Sequence, residues 1–330
     1  MMIKQLIVSL AALLVSLAIV FAPQTATKEE QTMDASGFDM GKLRVGKEVS
    51  GAYVQPGSVS PPAPDEVKAT GFAYDEAKLT YELVWADEFD IPGAPDPERW
   101  GYDLGGSGWG NNELQFYTGE GNAWAEDGCL IIEARKEQRG NRAYTSARLV
   151  TRGKGDWLYG RFEIRAKMPR GLGTWPAIWM LPTDRVYGGW PASGEIDIME
   201  HVGYDQGISH ASVHTKAFNH VMGTQKSART RLSDISEEFH TYILTWLPDK
   251  LLIAVDGEVY FTYEPGRYAA QPTFREWPFD RRHHLLLNIA FGGNWGGARG
   301  IDENVLPQRM LVDYVRVYQS PEIAALVKGE

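Results

Sequence analysis

The chain has 330 residues, a formal net charge of −10 and one cysteine, Cys129. That length can bury a sizeable core, whereas the acidic balance with interspersed signs gives no basic face for a nucleic acid. A single thiol excludes an intrachain disulfide, so stability must come from packing or a bound ion.

Residues 1–22 carry Lys4 and then an apolar run of 16 residues from Leu6 to Phe21. This pattern reads as a secretory signal. It falls short of the ~20 residues that span a bilayer comfortably, and an uncleaved membrane tether through residues 5–22 is the alternative. Either way the rest of the chain is expected outside the cytoplasm, secreted or periplasmic. Residues 23–76 have few large apolar side chains and a Pro/Gly/Ser stretch from Gln55 to Pro64, which reads as a linker.

A folded region is expected over 77–320. Cys129 sits in the run Cys129-Leu130-Ile131-Ile132 and is expected to be a small buried residue. Arg161 to Met168 alternates charged and apolar residues at the period of two that a half-buried strand requires. Tyr242–Trp246 and Leu251–Val255 form a pair of strands around Pro248-Asp249-Lys250, and Asp256-Gly257 reverses the chain again. Met310–Tyr318 is a last strand, and 321–330 is a tail. Many short strands with regular turn signals predict an all-β fold, a β-sandwich jelly roll of two curved antiparallel sheets. The 11 Trp, 15 Tyr and 35 Gly suit such strands, tight turns and flat aromatic platforms, and a neutral ligand suits the charge.

Gly194-Glu195-Ile196-Asp197-Ile198-Met199-Glu200-His201 carries the chemistry. In a regular strand Glu195 and Asp197 share one face, while Glu200 falls on the apolar face with Ile196 and Ile198. A β-bulge at Ile198-Met199 returns Glu200 to the face of the other two acids. Glycosidic cleavage needs one ionised and one protonated carboxyl, and close like charges raise the pKa of one member. A retaining enzyme holds such a pair ~5.5 Å apart. On this reading Glu195 is the nucleophile, Glu200 the general acid/base, and Asp197 tunes the nucleophile. A solvated acidic strand edge and a metal site are the other readings of these residues taken alone.

The Glu-Ile-Asp-Ile-Met-Glu run resembles the signature of glycoside hydrolase family sixteen. The extra residue, here Met199, resembles the bulged branch of laminarinases, agarases and carrageenases. Trp85-Ala86-Asp87-Glu88-Phe89, Gly108 to Thr118, Gly173 to Leu181, Val213 to Lys216 and Gly292 to Gly297 are similar to the laminarinase group. The resemblance implies a retaining endo-β-1,3-glucanase, monomeric and without a catalytic cofactor, acting in a concave-sheet cleft. It makes Trp175 and Trp179 subsite floors and puts His214 beside the catalytic carboxylates, where its N–H could steady the acid/base or the leaving sugar. Trp109 and Trp295, in Gly-rich loops, become ligand contacts, and Asn112, Glu113 and Arg148 become hydroxyl partners. It also implies a structural calcium held by Glu88, the carbonyl of Gly128, and Asp313. Mixed-linkage glucan, agarose, carrageenan, glycosyl transfer and a non-catalytic glucan-binding role stay open.

Overall fold

The computed structural model describes residues 43–44 and 67–328. The expected signal or anchor, 1–22, and most of the expected linker, 23–76, lie outside the described residues. Thirteen of the seventeen strands described in the two main sheets are, in chain order, β1 (Tyr81–Asp87), β2 (Cys129–Ala134), β3 (Arg148–Val150), β4 (Gly160–Lys167), β5 (Thr174–Pro182), β6 (Glu195–Glu200), β7 (Ile208–His214), β8 (Lys226–Arg231), β9 (His240–Leu247), β10 (Lys250–Val255), β11 (Glu258–Tyr263), β12 (His283–Phe291) and β13 (Gln308–Gln319), and the other four are short strands of two to four residues. One sheet runs β1–β13–β4–β9–β10–β11, with β2 paired along the first half of β13. The other runs β8–β7–β6–β5–β12–β3. All of these pairs are antiparallel, which gives the jelly-roll sandwich expected from the strand pattern.

Local chemistry explains the turns. Val255 pairs with Glu258 across the two-residue loop Asp256-Gly257, whose φ values of 51° and 91° are the left-handed pair that matches the twist of a tight hairpin. Gly supplies that conformation without strain, and Asp tolerates it. In β4 the apolar Phe162, Ile164 and Ala166 enter the core as the alternation requires. The charged Arg161 and Glu163, expected to face solvent, are buried too and pair at 2.7 Å. This strand is covered on both faces, and charges withdrawn from water need such a partner.

The core lies between the sheets. Ile178 and Met180 of β5, Ile196, Ile198 and Met199 of β6, and Leu285, Leu287 and Ile289 of β12 meet Leu244, Trp246, Val315 and Val317 from the facing sheet. Each such side chain contributes ~1.5–3 kcal/mol by leaving water, and a one-residue slip would turn a whole strand inside out. Core burial therefore fixes which residues of β6 face outward. Packing runs past both ends of the expected 77–320 domain. Ala69 is buried and the Tyr74 hydroxyl donates to Asp249. Helix α1 (Pro321–Lys328) buries Ile323, and Thr80 Oγ1 donates to Glu322 at 2.7 Å. Cys129 is only half-buried, because it opens β2 directly after the Asp127-Gly128 turn. Among the described residues no helix is long and apolar enough to cross a membrane.

Candidate active site

Strand β6 carries the bulge that its sequence requires. Against β7, Asp197 pairs with Ser212 and Glu200 with His210, so three steps on β6 match two on its neighbour. Against β5, Trp179 pairs with Asp197 and Ile178 with Met199, which leaves Ile198 as the unpaired residue. Ile198 and Met199 both enter the core, whereas Glu195, Asp197 and Glu200 all line one cleft of about 510 Å³.

The three carboxyls are held by groups from separate elements. The indole Nε1 of Trp175, on β5, donates to Glu200 Oε1 at 3.0 Å. Trp190, in the loop before β6, donates to Glu195 Oε2 at 3.0 Å. His214 stands opposite Glu195 in the register, with Nε2 3.2 Å from Asp197 Oδ2 and 3.7 Å from Glu195 Oε1. It stands among the carboxyls of β6 on the side of Asp197 and Glu195, and the cross-strand partner of Glu200 is His210. Burial, followed by the charge of Asp197, pushes Glu195 and Glu200 up to about 8, and burial raises Asp197 likewise. The indole donors and His214 work in the opposite direction. Ligand atoms of Glu195, Asp197 and His214 lie within 4.8 Å of one another, a spacing also compatible with a metal ion. Crowded like charges are relieved equally by retaining a proton. The arrangement thus stores protons on carboxyls near neutral pH, the condition that acid/base cleavage needs.

Other expected contacts divide. Trp109, Arg148, Trp175 and Trp179 line the cleft, and the guanidinium of Arg148 stacks between the rings of Trp109 and Trp179 at 4.7 and 4.6 Å. Trp179 Nε1 donates to Asn288 Oδ1 at 2.7 Å. Glu113 lines the cleft from a buried position and accepts from Gln115 and Tyr117. Asn112 does not join the lining; it turns to Asn294 at 2.9 Å, and its neighbour Asn111 takes the cleft position. Trp295 likewise stands outside the lining, because it packs edge-on against Trp175 and His210. Trp190 and His220 line the cleft and were not anticipated. Trp190 carried a usable signal, an aromatic in the Gly188-Gly189-Trp190-Pro191 loop five positions before Glu195.

The expected calcium ligands are placed otherwise. Both oxygens of Glu88 accept from Arg316 at 2.8 Å, and Asp313 is paired with Arg165. Each carboxylate is thus paired with an arginine, and both pairs are partly exposed, 40% at Glu88 and 35% at Asp313.

Residues 110–316 match the model of the family described as "Glycosyl hydrolases family 16". A Beta-glucanase of Rhodothermus marinus is 53% identical over 244 residues, 72% of this chain and 85% of the relative. A Glucan endo-1,3-beta-glucosidase of Cryptopygus antarcticus is 40% identical, over 67% of this chain and 84% of the relative. Among solved structures, the laminarinase from Rhodothermus marinus is similar with a TM-score of 0.72 and 52% identity, covering 74% of this chain and 99% of that one. SCLam, described as a non-specific endo-beta-1,3(4)-glucanase, gives a TM-score of 0.69 at 46% identity, over 78% and 96%.

Proposed function

The chain belongs to glycosyl hydrolases family 16, and from that premise we propose that its cleft cuts internal β-1,3 linkages of a laminarin-type glucan by double displacement. It is a β-glucan hydrolase of the laminarinase group and needs no catalytic cofactor. The observation that carries the residue assignment is the bulge in β6, which turns Glu200 to the face of Glu195.

Glu195 attacks the anomeric carbon as a carboxylate, and Glu200 gives its proton to the glycosidic oxygen as that bond breaks. A sugar–Glu195 ester and a shortened chain with a new hydroxyl result. Water then gives a proton to Glu200 and adds to the anomeric carbon, which frees Glu195 and restores the configuration. Asp197, 3% exposed and beside His214, shares the local proton and tunes Glu195. The faces of Trp175 and Trp179 suit the apolar C–H faces of glucosyl units, and Arg148 suits their hydroxyls.

Reducing-end release should be measured on laminarin, lichenan, agarose and carrageenan in parallel, with Glu195→Gln and Glu200→Gln as controls. The reading expects laminarin cleavage with the β-anomer formed first, and at least a thousandfold loss, on the order of 10³ or more, in either variant. Inversion at the anomeric centre, or near-normal turnover by either variant, would sink it. Lichenan cleavage at a similar rate would place the chain with the β-1,3(4)-glucanases. Export through the Leu6–Phe21 run agrees with a polymeric substrate outside the cell, and N-terminal sequencing of the exported protein tests cleavage against tethering.

A further inference from the structure

The cleft is electrically asymmetric. Its catalytic strand presents three carboxyls, whereas Arg148 on β3, Arg152 just after that strand and Arg185 in the loop between β5 and β6 also line it. Asp103 is the acid facing them, 3.1 Å from Arg148 and 3.0 Å from Arg152. Asp184, next in sequence to Arg185, is taken by Arg282 at 3.2 Å. Glu113, the remaining acid near Arg148, is buried with its pKa raised and is engaged by Gln115 and Tyr117. The guanidinium of Arg185 is exposed and has no ion-pair partner among the described residues. The charge of all three arginines is felt at the buried His284 behind them.

A neutral glucan needs hydrogen-bond donors, which Arg148 supplies, but it gives no use for surplus positive charge. In a chain of net charge −10 such a corner concentrates anions locally. Planar guanidinium forks also match carboxylate and sulfate oxygens pairwise. We propose that the Arg148–Arg152–Arg185 cluster lining the cleft is a subsite for an anionic substituent, a carboxylate or sulfate group, carried by the glucan. This rests on the glucanase reading above and adds a substrate class to it.

The test compares laminarin with laminarin bearing sparse carboxymethyl groups, and with laminarin bearing sparse sulfate groups. kcat/KM is read at low salt and at about 0.5 M NaCl, where exposed charges are screened. At least one substituted polymer should be cut about threefold or more faster than the parent at low salt, with the advantage lost in high salt. The group preferred then identifies the substituent. Arg185→Gln should remove the preference and leave the rate on neutral laminarin unchanged. Calorimetric binding of the same polymers to the Glu200→Gln protein gives a second readout that needs no turnover. Equal or weaker cleavage and binding of both substituted polymers, or an Arg185→Gln loss that is the same on all three, overturns the subsite. Failure of the wild type to cut any of the three counts instead against the glucanase reading, and the binding comparison still decides the subsite.

Discussion

Trp190 and Glu195 are joined by a single hydrogen bond of 3.0 Å from the indole Nε1, and Trp175 holds Glu200 in the same way. The two carboxyls of the proposed pair therefore have separate donors on separate elements, and each donor lowers the pKa of its own acid. Trp190→Phe removes a donor from the group that must be ionised. Glu195 then titrates higher, and the acidic limb of the kcat/KM profile moves to higher pH. Trp175→Phe raises Glu200, which must be protonated, so there the alkaline limb moves up. Each variant should also lose about tenfold at the optimum, the scale of one charge-assisted hydrogen bond. If the limbs respond the other way round, the roles of the two glutamates are exchanged.

The same burial that serves catalysis works against stability. Glu200 has a folded-state pKa raised above its ordinary value of 4.5. A raised group binds its proton more tightly when folded, so its contribution is fully present below the unfolded pKa and is lost as pH rises through the folded one. Glu200→Gln cannot ionise and escapes that loss. Its melting temperature should exceed the wild type by a few degrees near pH 8, about what ~1 kcal/mol gives in a domain of this size, and match it below pH 4. A variant less stable at pH 8 would mean that the carboxylate is well solvated in the fold.

A Gly-rich loop sets the wall behind Trp175. A Cβ on Gly296 would lie 2.6 Å from the Gly292 carbonyl oxygen and 2.9 Å from the Trp175 Cβ. Backbone cannot yield as a flexible side-chain end does, so Gly296→Ala should cost ~1–3 kcal/mol in urea unfolding. It should also lower laminarin turnover by shifting the indole that holds Glu200. An unchanged midpoint together with unchanged turnover would show that this loop is free to move away.

Much of the molecule was legible in the sequence. The period of two in Arg161–Met168 and the Asp256-Gly257 reversal give strands and a hairpin because both depend on local backbone chemistry. The bulge was legible because the acids of Glu195-Ile196-Asp197-Ile198-Met199-Glu200 can share a face in no other strand geometry. Side-chain partners across the chain were not. Asn111 lines the cleft and Asn112 does not, and Asn112 has a left-handed φ of 54°. His214 sits by Glu195 because of inter-strand register, which no local pattern encodes. The arginines that neutralise Glu88 and Asp313 are separated in sequence from them by 228 and 148 positions.

Deleting Met199 separates the face of the acids from the bulge that produces it. Without it the strand reads Glu-Ile-Asp-Ile-Glu, a regular alternation with all three acids on one side. The pairings Asp197 with Ser212 and Glu200 with His210 then enclose a single residue facing Ala211, and those of Trp179 with Asp197 and Ala177 with Glu200 enclose a single residue facing Ile178. The ladder closes on both sides with no other change of register. The deletion removes one fully buried side chain, at a cost of roughly 2–3 kcal/mol in urea unfolding, yet it should keep laminarin turnover within about tenfold. Deleting Ile198 and Met199 together puts Glu200 on the core face and should leave no turnover at all. A folded but inactive Met199 deletion would show that cleavage depends on the extra length between the two glutamates, and not on their common face alone.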